Sequence, residues 1–533
     1  MAWGVLDDPY MVFPPGTVNL KDASGGDDYK GDTKGLKKKG NIVLQPQPSD
    51  SPNDPLNWSQ LWKYANMLIL CFGSGITTAI SPMPTPGLPL IAEQYGVPLD
   101  LVTPLVVGSL NFYTALISFF VTSAGLVWGK RPQYVISVVL LCAAQVWAYQ
   151  AKSFPSLVAA RTITGIASAP LFSLVAATIT DMFFVHERGL MLAIWNLMLG
   201  AGGQLGQIIG GVVIEKLGMP IAFAFTGIAY AVLLPGVYFI ALETGYPARE
   251  VSAVDVIDSK TSKLDDENEL IVKVAEIEPK RTYGNQLAVF PGRLSNASFW
   301  KGSLKPIAMI VFPDVFFSTI IFTTYWILML ALPIMAATLL SMPPYNLTPS
   351  QIGLTNLPPL VVSIVAALLA GLIADSAVKS MAARNTSFPG FFEPEFRLLP
   401  LMLIATPIGV TGIVGFGISL RDSLPLPWVL TFLSIYTFAA TFGNQAALSY
   451  AVDCHPNDSA QAFTIISSIA AATLFVITTV MFKWYFAAGP GVVFGTLAVV
   501  ILFASGLSIP MYIFGKRLRS ATARTGYTRR LMA

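Results

Sequence analysis

Apolar residues run along this chain in long blocks, each close to the roughly 20 residues that an α-helix needs to cross a bilayer. Twelve blocks begin near Tyr64, Leu101, Gln133, Ser156, Leu190, Ile221, Ile307, Gln351, Leu398, Pro427, Gln461 and Gly491. They predict an all-α membrane protein with twelve transmembrane helices. The widest polar gap runs from Glu243 to Lys305, carries DSKTSKLDDENELIVKVAEIEPKR and divides the blocks six and six. The expected plan is therefore a disordered cytosolic tail (1–62), a first six-helix half (63–243), a flexible cytosolic linker (244–305), a second half (306–514) and a cytosolic tail (515–533). The first tail is polar, rich in Pro and Gly, and carries Lys37, Lys38 and Lys39 in a row.

Composition sharpens this picture. Hydrophobic residues make up 54% of the 533 and charged residues 12%, a balance that belongs to polytopic membrane proteins. The three cysteines, Cys71, Cys142 and Cys454, lie within or beside apolar runs and suggest no disulfide framework. No cleavable signal peptide is expected. No P-loop, metal-ligand cluster or nucleophile–base set stands out, so neither ATP-driven transport nor an enzyme, cofactor, metal or nucleic-acid partner is expected.

Basic residues fix the orientation. With the amino terminus inside, the tails and even-numbered junctions hold 28 of the 33 lysines and arginines. The others are Arg161 within the membrane and Lys152, Lys216, Arg421 and Lys483 at the outer side. Asn346 then heads the one outward-facing glycosylation sequon, while Asn57, Asn296 and Asn385 head sequons on the cytosolic side.

The fourth and tenth blocks end alike, ATITDMFFVHERG against LSYAVDCHPNDSA, a faint echo between halves. Secondary transporters are commonly built from such repeats, with the substrate site between halves near the midplane. Further markers are DPLNWSQLWKY, GKRP, RTITG, TDMFFVHERG, GAGGQLGQIIGG, GLIAD, ARNTSFPGFFEPEFRL, SYAVDCHP and GKRLRS. On these the chain resembles the major facilitator superfamily, in the fungal branch of drug:proton antiporters that also contains polyamine and organic-cation carriers. The resemblance covers Asp54 to Thr522 and implies the twelve-helix major facilitator fold.

Departures from that family pattern are visible. Against a fifth-helix signature GxxxGPxxGG, Gly202, Gly206, Gly210 and Gly211 match, and Gln207 replaces the proline. Against the loop signature GxxxDxxGRR, the first half keeps Lys130 and Arg131 without the acid, and the second keeps Gly371 and Asp375 without the arginine pair. These residues are expected to form the gating network, together with Asp181, Arg188 and Asp453 at cytosolic helix ends, where His186 and His455 also lie. Gly202 and Gly206 are expected to press against a helix of the other half.

Two charged residues stand out within the apolar blocks. Arg161 shares a helix face with Gly165, Ser168 and Phe172, and an intramembrane cation marks either a pathway or a snorkelling cap on carbonyls. Asp314 lies nine residues past Lys305, about 13 Å deep at the helical rise, where it is either a proton carrier or a neutral hydrogen-bonded acid. Asn111, Tyr113, Trp195, Asn196, Tyr325, Trp326, Asn444 and Gln445 are expected, with Arg161, to supply a mostly apolar cavity for a drug-sized ligand.

The leading expectation is proton-coupled efflux of a small organic compound (drug, toxin or secondary metabolite) by a monomer. The plasma membrane is expected, with a vacuolar or vesicular membrane as the alternative. Proton-coupled uptake of an organic cation or nutrient, and a non-transporting sensor, are the other readings.

Overall fold

The computed structural model describes residues 4–11, 14–19, 38–39, 42–43, 48–246, 280–384, 391–455 and 458–525. Residues 247–279 of the expected linker, and the side chains of His186, Arg188 and Asp375, lie outside the described residues. In lipid, backbone N–H and C=O groups must bond within their own segment, so the apolar blocks fold as helices.

The first half comprises α1 (Gln60–Ile80), α2 (Ser109–Trp128), α3 (Arg131–Gln150), α4 (Phe154–Met182), α5 (Val185–Leu217) and α6 (Met219–Ile240). The second begins with α7 (Pro313–Leu340), α8 (Leu357–Ala383), α9 (Thr406–Arg421) and α10 (Leu426–Cys454). The stretch Ser459–Gly506 breaks at Gly489, whose φ of 80° suits glycine and which Pro490 follows. The break separates α11 (459–488) from α12 (490–506), and Ser508–Arg524 follows as α13. Among the described residues eleven helical stretches are apolar and long enough to cross a membrane, with mean hydropathy from 1.3 to 2.4. The last, Ser459–Arg524, contains the break and so supplies two crossings.

Each half has its own core. Leu70, Tyr134, Leu171 and Tyr230 belong to the first, and Ile321, Tyr325, Phe416 and Tyr436 to the second. A third cluster joins Met83, Leu88 and Ile214 of the first half to Ile334 of the second. Large apolar side chains such as Phe72, Val232, Leu372 and Phe503 stay exposed, as a lipid-facing surface allows.

Three expectations change. Ile307 belongs to a separate helix, Phe299–Met309, and α7 restarts at Pro313, a residue suited to a first helical turn and not to an interior. Asp314 therefore sits in the first turn of α7, at its amino-terminal end, and not near the midplane. Counting depth from Lys305 failed because the helix does not run through. Residues 280–305 are anchored: Leu294 N donates to Val127 O at 2.8 Å, and Ser123 Oγ to Phe299 O at 2.6 Å. The amino-terminal tail is held in part too. Leu6 N donates to Ile513 O, and Val18–Asn19 pairs antiparallel with Phe391–Phe392.

Candidate substrate cavity and gates

Between the halves lies a cavity of about 220 Å³, walled by α1, α2, α4 and α5 on one side and α7, α8, α10 and α11 on the other. Its polar lining consists of hydroxyls and amides. Among the described residues no Asp, Glu, Lys, Arg or His lines it. Phe172, Phe322, Trp326 and Phe463 supply flat apolar surface, and the rings of Phe322 and Trp326 stack one turn apart with centroids 6.1 Å from each other. A larger groove of about 640 Å³ beside Pro358, Ile408 and Phe438 lies within the second half, away from this interface, and its lining is almost wholly apolar.

Of the residues expected at the cavity, Asn111, Asn196, Trp326, Asn444 and Gln445 line it. Tyr113 is not part of the lining and meets Phe112 edge-on. Trp195 is buried, its Nε1 3.3 Å from Ser74 Oγ. Tyr325 is also buried, its hydroxyl 3.0 Å from Ser505 Oγ. Aromatic rings at helix interfaces look the same in sequence whether they face a neighbour or a cavity. The sequence reading missed Gln204 and Gln207, both lining residues on α5. Gln207 carried a signal, since it stands where the family signature has proline.

Arg161 is fully buried and not part of the lining. Its Nε donates to Val106 O at 2.8 Å, and one terminal nitrogen to Ile80 O and Ser81 O, each at 3.1 Å. The sequence explains the acceptors. Pro104 opens a π-helical turn, Pro104–Gly108, just before α2, which frees the Val106 carbonyl, and α1 ends at Ile80, beyond which the helix no longer supplies donors to its terminal carbonyls. The guanidinium meets both, and the carbonyl end of α1 favours a cation there. Of the two roles open to Arg161 in sequence, the geometry matches the cap on carbonyls. Ser168 and Phe172, on the same helix, do line the cavity.

The α5 glycines form two contacts. Gly202, Gly206 and Gly210 lie against the carbonyls of Gly75, Ala79 and Met83 in α1 and the turn after it, and a Cβ at any of them would come under 3.0 Å from those oxygens. Equal steps of four on both sides let two ridges pack in register. This contact lies within the first half, so Gly202 and Gly206 do not meet the other half as expected. Gly211 does, against Pro349 O and Gly353, and a Cβ on Gly353 would fall 2.7 Å from Gln207 O. Nearby, Ser350 N donates to Glu215 Oε2 at 2.8 Å, and Lys483 pairs with Asp100 at 3.2 Å. The halves are thus closed at the ends opposite the lysine-rich loops.

The ends at the lysine-rich loops carry charge networks. Lys130 Nζ lies 2.6 Å from Asp181, and the backbone N–H groups of Lys130 and Arg131 donate to the Glu243 carboxylate. The two terminal nitrogens of Arg131 donate to the carbonyls of Ala241, Tyr238 and Leu287. In the second half Arg397 pairs with Asp453, while Arg519 holds Glu395 and Glu393, and Lys516 also reaches Glu393. Asp314 Oδ2 lies 2.6 Å from His455 Nε2, both buried, though the ring N–H is not aligned for a hydrogen bond and neither atom has another partner. Gating roles proposed for Arg188 and Asp375 concern side chains outside the described residues.

Two six-helix halves around a membrane-embedded cavity define a multi-pass carrier of small molecules. Residues 67–477 match the sequence profile of the Major Facilitator Superfamily, and the chain belongs to that family as a secondary transporter. It is 25% identical to Protein HOL1 of Saccharomyces cerevisiae, over 96% of each chain. It is 21% identical to Efflux pump radE of Floropilus chiversii, over 92% of this chain and 87% of the relative. In fold it is similar to the xylose transporter XylE from E. coli, with a TM-score of 0.57 at 13% identity, over 84% of this chain and 97% of that one.

Proposed function

We propose that the protein is a proton-coupled exporter of a small organic compound. The central cavity, walled by both halves and capped at the outer ends, carries this reading, because rocking the halves would open it alternately to each side. A relative named as an efflux pump supports the outward direction. Proton-driven uptake of an organic cation is less well supported, since no carboxylate lines the cavity among the described residues.

For the proton we propose the Asp314–His455 pair. It joins the start of α7 to the end of α10, two helices that must shift when the second half moves, and a proton between the two groups changes their attraction. Tyr450, Cys454, Glu395, Asp453 and Arg519 are other titratable groups of this cluster. Asn346, exposed after α7, is the proposed glycan site, and the plasma membrane the proposed location.

Vesicle flux tests the coupling. Asp314→Asn should still exchange substrate down its gradient and lose the acceleration caused by an imposed pH gradient. If Asp314→Asn stays fully driven, the proton travels elsewhere, with Asp181 and Asp453 next in line. Comparing metabolites inside and outside cells with and without the protein tests direction, and accumulation inside would overturn export.

A further inference from the structure

Gln204 and Gln207 stand three residues apart on α5, on one side of the helix, and both line the cavity. These residues are 4% and 3% exposed, and neither side-chain oxygen has a hydrogen-bond partner within the described protein. Across the cavity on α10, Asn444 has one long contact, 3.9 Å from Nδ2 to Met329 Sδ. The side-chain oxygens of all three are sealed from solvent and unpartnered. Buried polar groups are ordinarily paired, and three orphans on residues that line one cavity point to a ligand that pairs them.

We infer that the cavity selects an uncharged carboxamide or lactam, and that Gln204, Gln207 and Asn444 set that selectivity. This rests on the transporter reading and names its substrate class. Each amide offers an acceptor and a donor side by side, and the group that answers both is another amide. A cation or an anion would shed its hydration without meeting an opposite charge, since the lining has none and Arg161, bonded through Nε and one terminal nitrogen to backbone carbonyls, is not part of it. Phe322 and Trp326 give the ligand's apolar body a stacked wall. The proline of the antiporter signature would offer no hydrogen-bonding side chain at position 207, so the selectivity belongs to this chain.

The test uses the full chain in lipid nanodiscs and three probes of one shape: neutral indole-3-acetamide, cationic tryptamine and anionic indole-3-acetate. Competition binding should rank the amide roughly tenfold or more tighter than either charged probe. Gln207→Leu and Gln204→Leu should each weaken the amide by about tenfold while raising the thermal midpoint of the ligand-free protein, because an unpaired amide is removed. Gln207→Glu should move the preference to tryptamine. Failure of the amide to bind, charged probes binding as well as the amide, or an amide preference that survives Gln207→Leu would each overturn the inference. Amide-selective binding without flux in vesicles would sink the transport reading and leave this one standing. Driven flux of tryptamine would do the reverse.

Discussion

Gly206 lies so close to Ala79 that a Cβ would come under 3.0 Å from the Ala79 carbonyl oxygen, an obstacle of backbone and not of a flexible side chain. Gly206→Ala must push α5 away from α1 or strain both, and overpacking of this kind costs about 1–3 kcal/mol. Gly203, three residues earlier, has no atom within 4 Å of such a Cβ. Gly203→Ala should therefore be neutral or stabilising by up to about 1 kcal/mol, through helix propensity alone. Unfolding midpoints of the purified variants check the contrast, and equal midpoints would remove the packing argument.

Gly211 acts on a different equilibrium, because its neighbours Pro349 and Gly353 belong to the other half. Gly211→Val should leave each half folded and disfavour the state in which the outer ends touch. A tenfold shift toward the outward-open state corresponds to about 1.4 kcal/mol. Spin labels at Lys216 and Ser350 should report a longer mean distance in the variant. An unchanged distance distribution would mean that the contact does not hold the outer end shut.

The helices and their division into halves were legible in the sequence because lipid leaves an apolar block few alternatives to a helix. The site was legible only in part. Asn111, Asn196, Trp326, Asn444 and Gln445 reach the cavity, while Tyr325 and Trp195 pack into helix contacts that composition cannot tell apart from it. Asp314 was misplaced because nothing in the apolar run before it announced the break at 310–312, apart from Pro306 and Pro313. The partners of Gly202 and Gly206 depend on which helix lies alongside, and a spacing of four fits any close neighbour.

The amino-terminal segment should matter to the second half. Asp7 pairs with Lys516, Asp8 accepts from Ser520, and the Pro15 carbonyl accepts from Arg519. Deleting residues 1–19 removes these bonds but leaves Glu393 and Glu395 with their cations, so a loss of about 1–3 kcal/mol is expected. Arg519→Ala should cost more, about 3–5 kcal/mol, because it strands the buried Glu395 carboxylate. Thermal unfolding of both variants tests the order, and a truncation more damaging than Arg519→Ala would reverse the reasoning.

Arg161 offers the sharpest separation between a structural and a ligand-binding cation. Its three acceptors are backbone carbonyls from α1, the residue after it and the π-helical turn before α2, so its loss would leave those carbonyls unpaired where water is scarce. Arg161→Ala should destabilise the first half by at least about 3 kcal/mol, given the usual worth of hydrogen bonds to a charged group. Arg161→Lys keeps the charge but concentrates its donors at one point, and a single ammonium cannot span acceptors on two helices as the guanidinium fork does. The lysine variant should therefore recover little of the lost stability. Molecules of either variant that do fold should keep the wild-type ranking of neutral, cationic and anionic probes. If Arg161→Ala unfolded at the wild-type temperature and lost only its binding of anionic compounds, Arg161 would be a substrate residue after all.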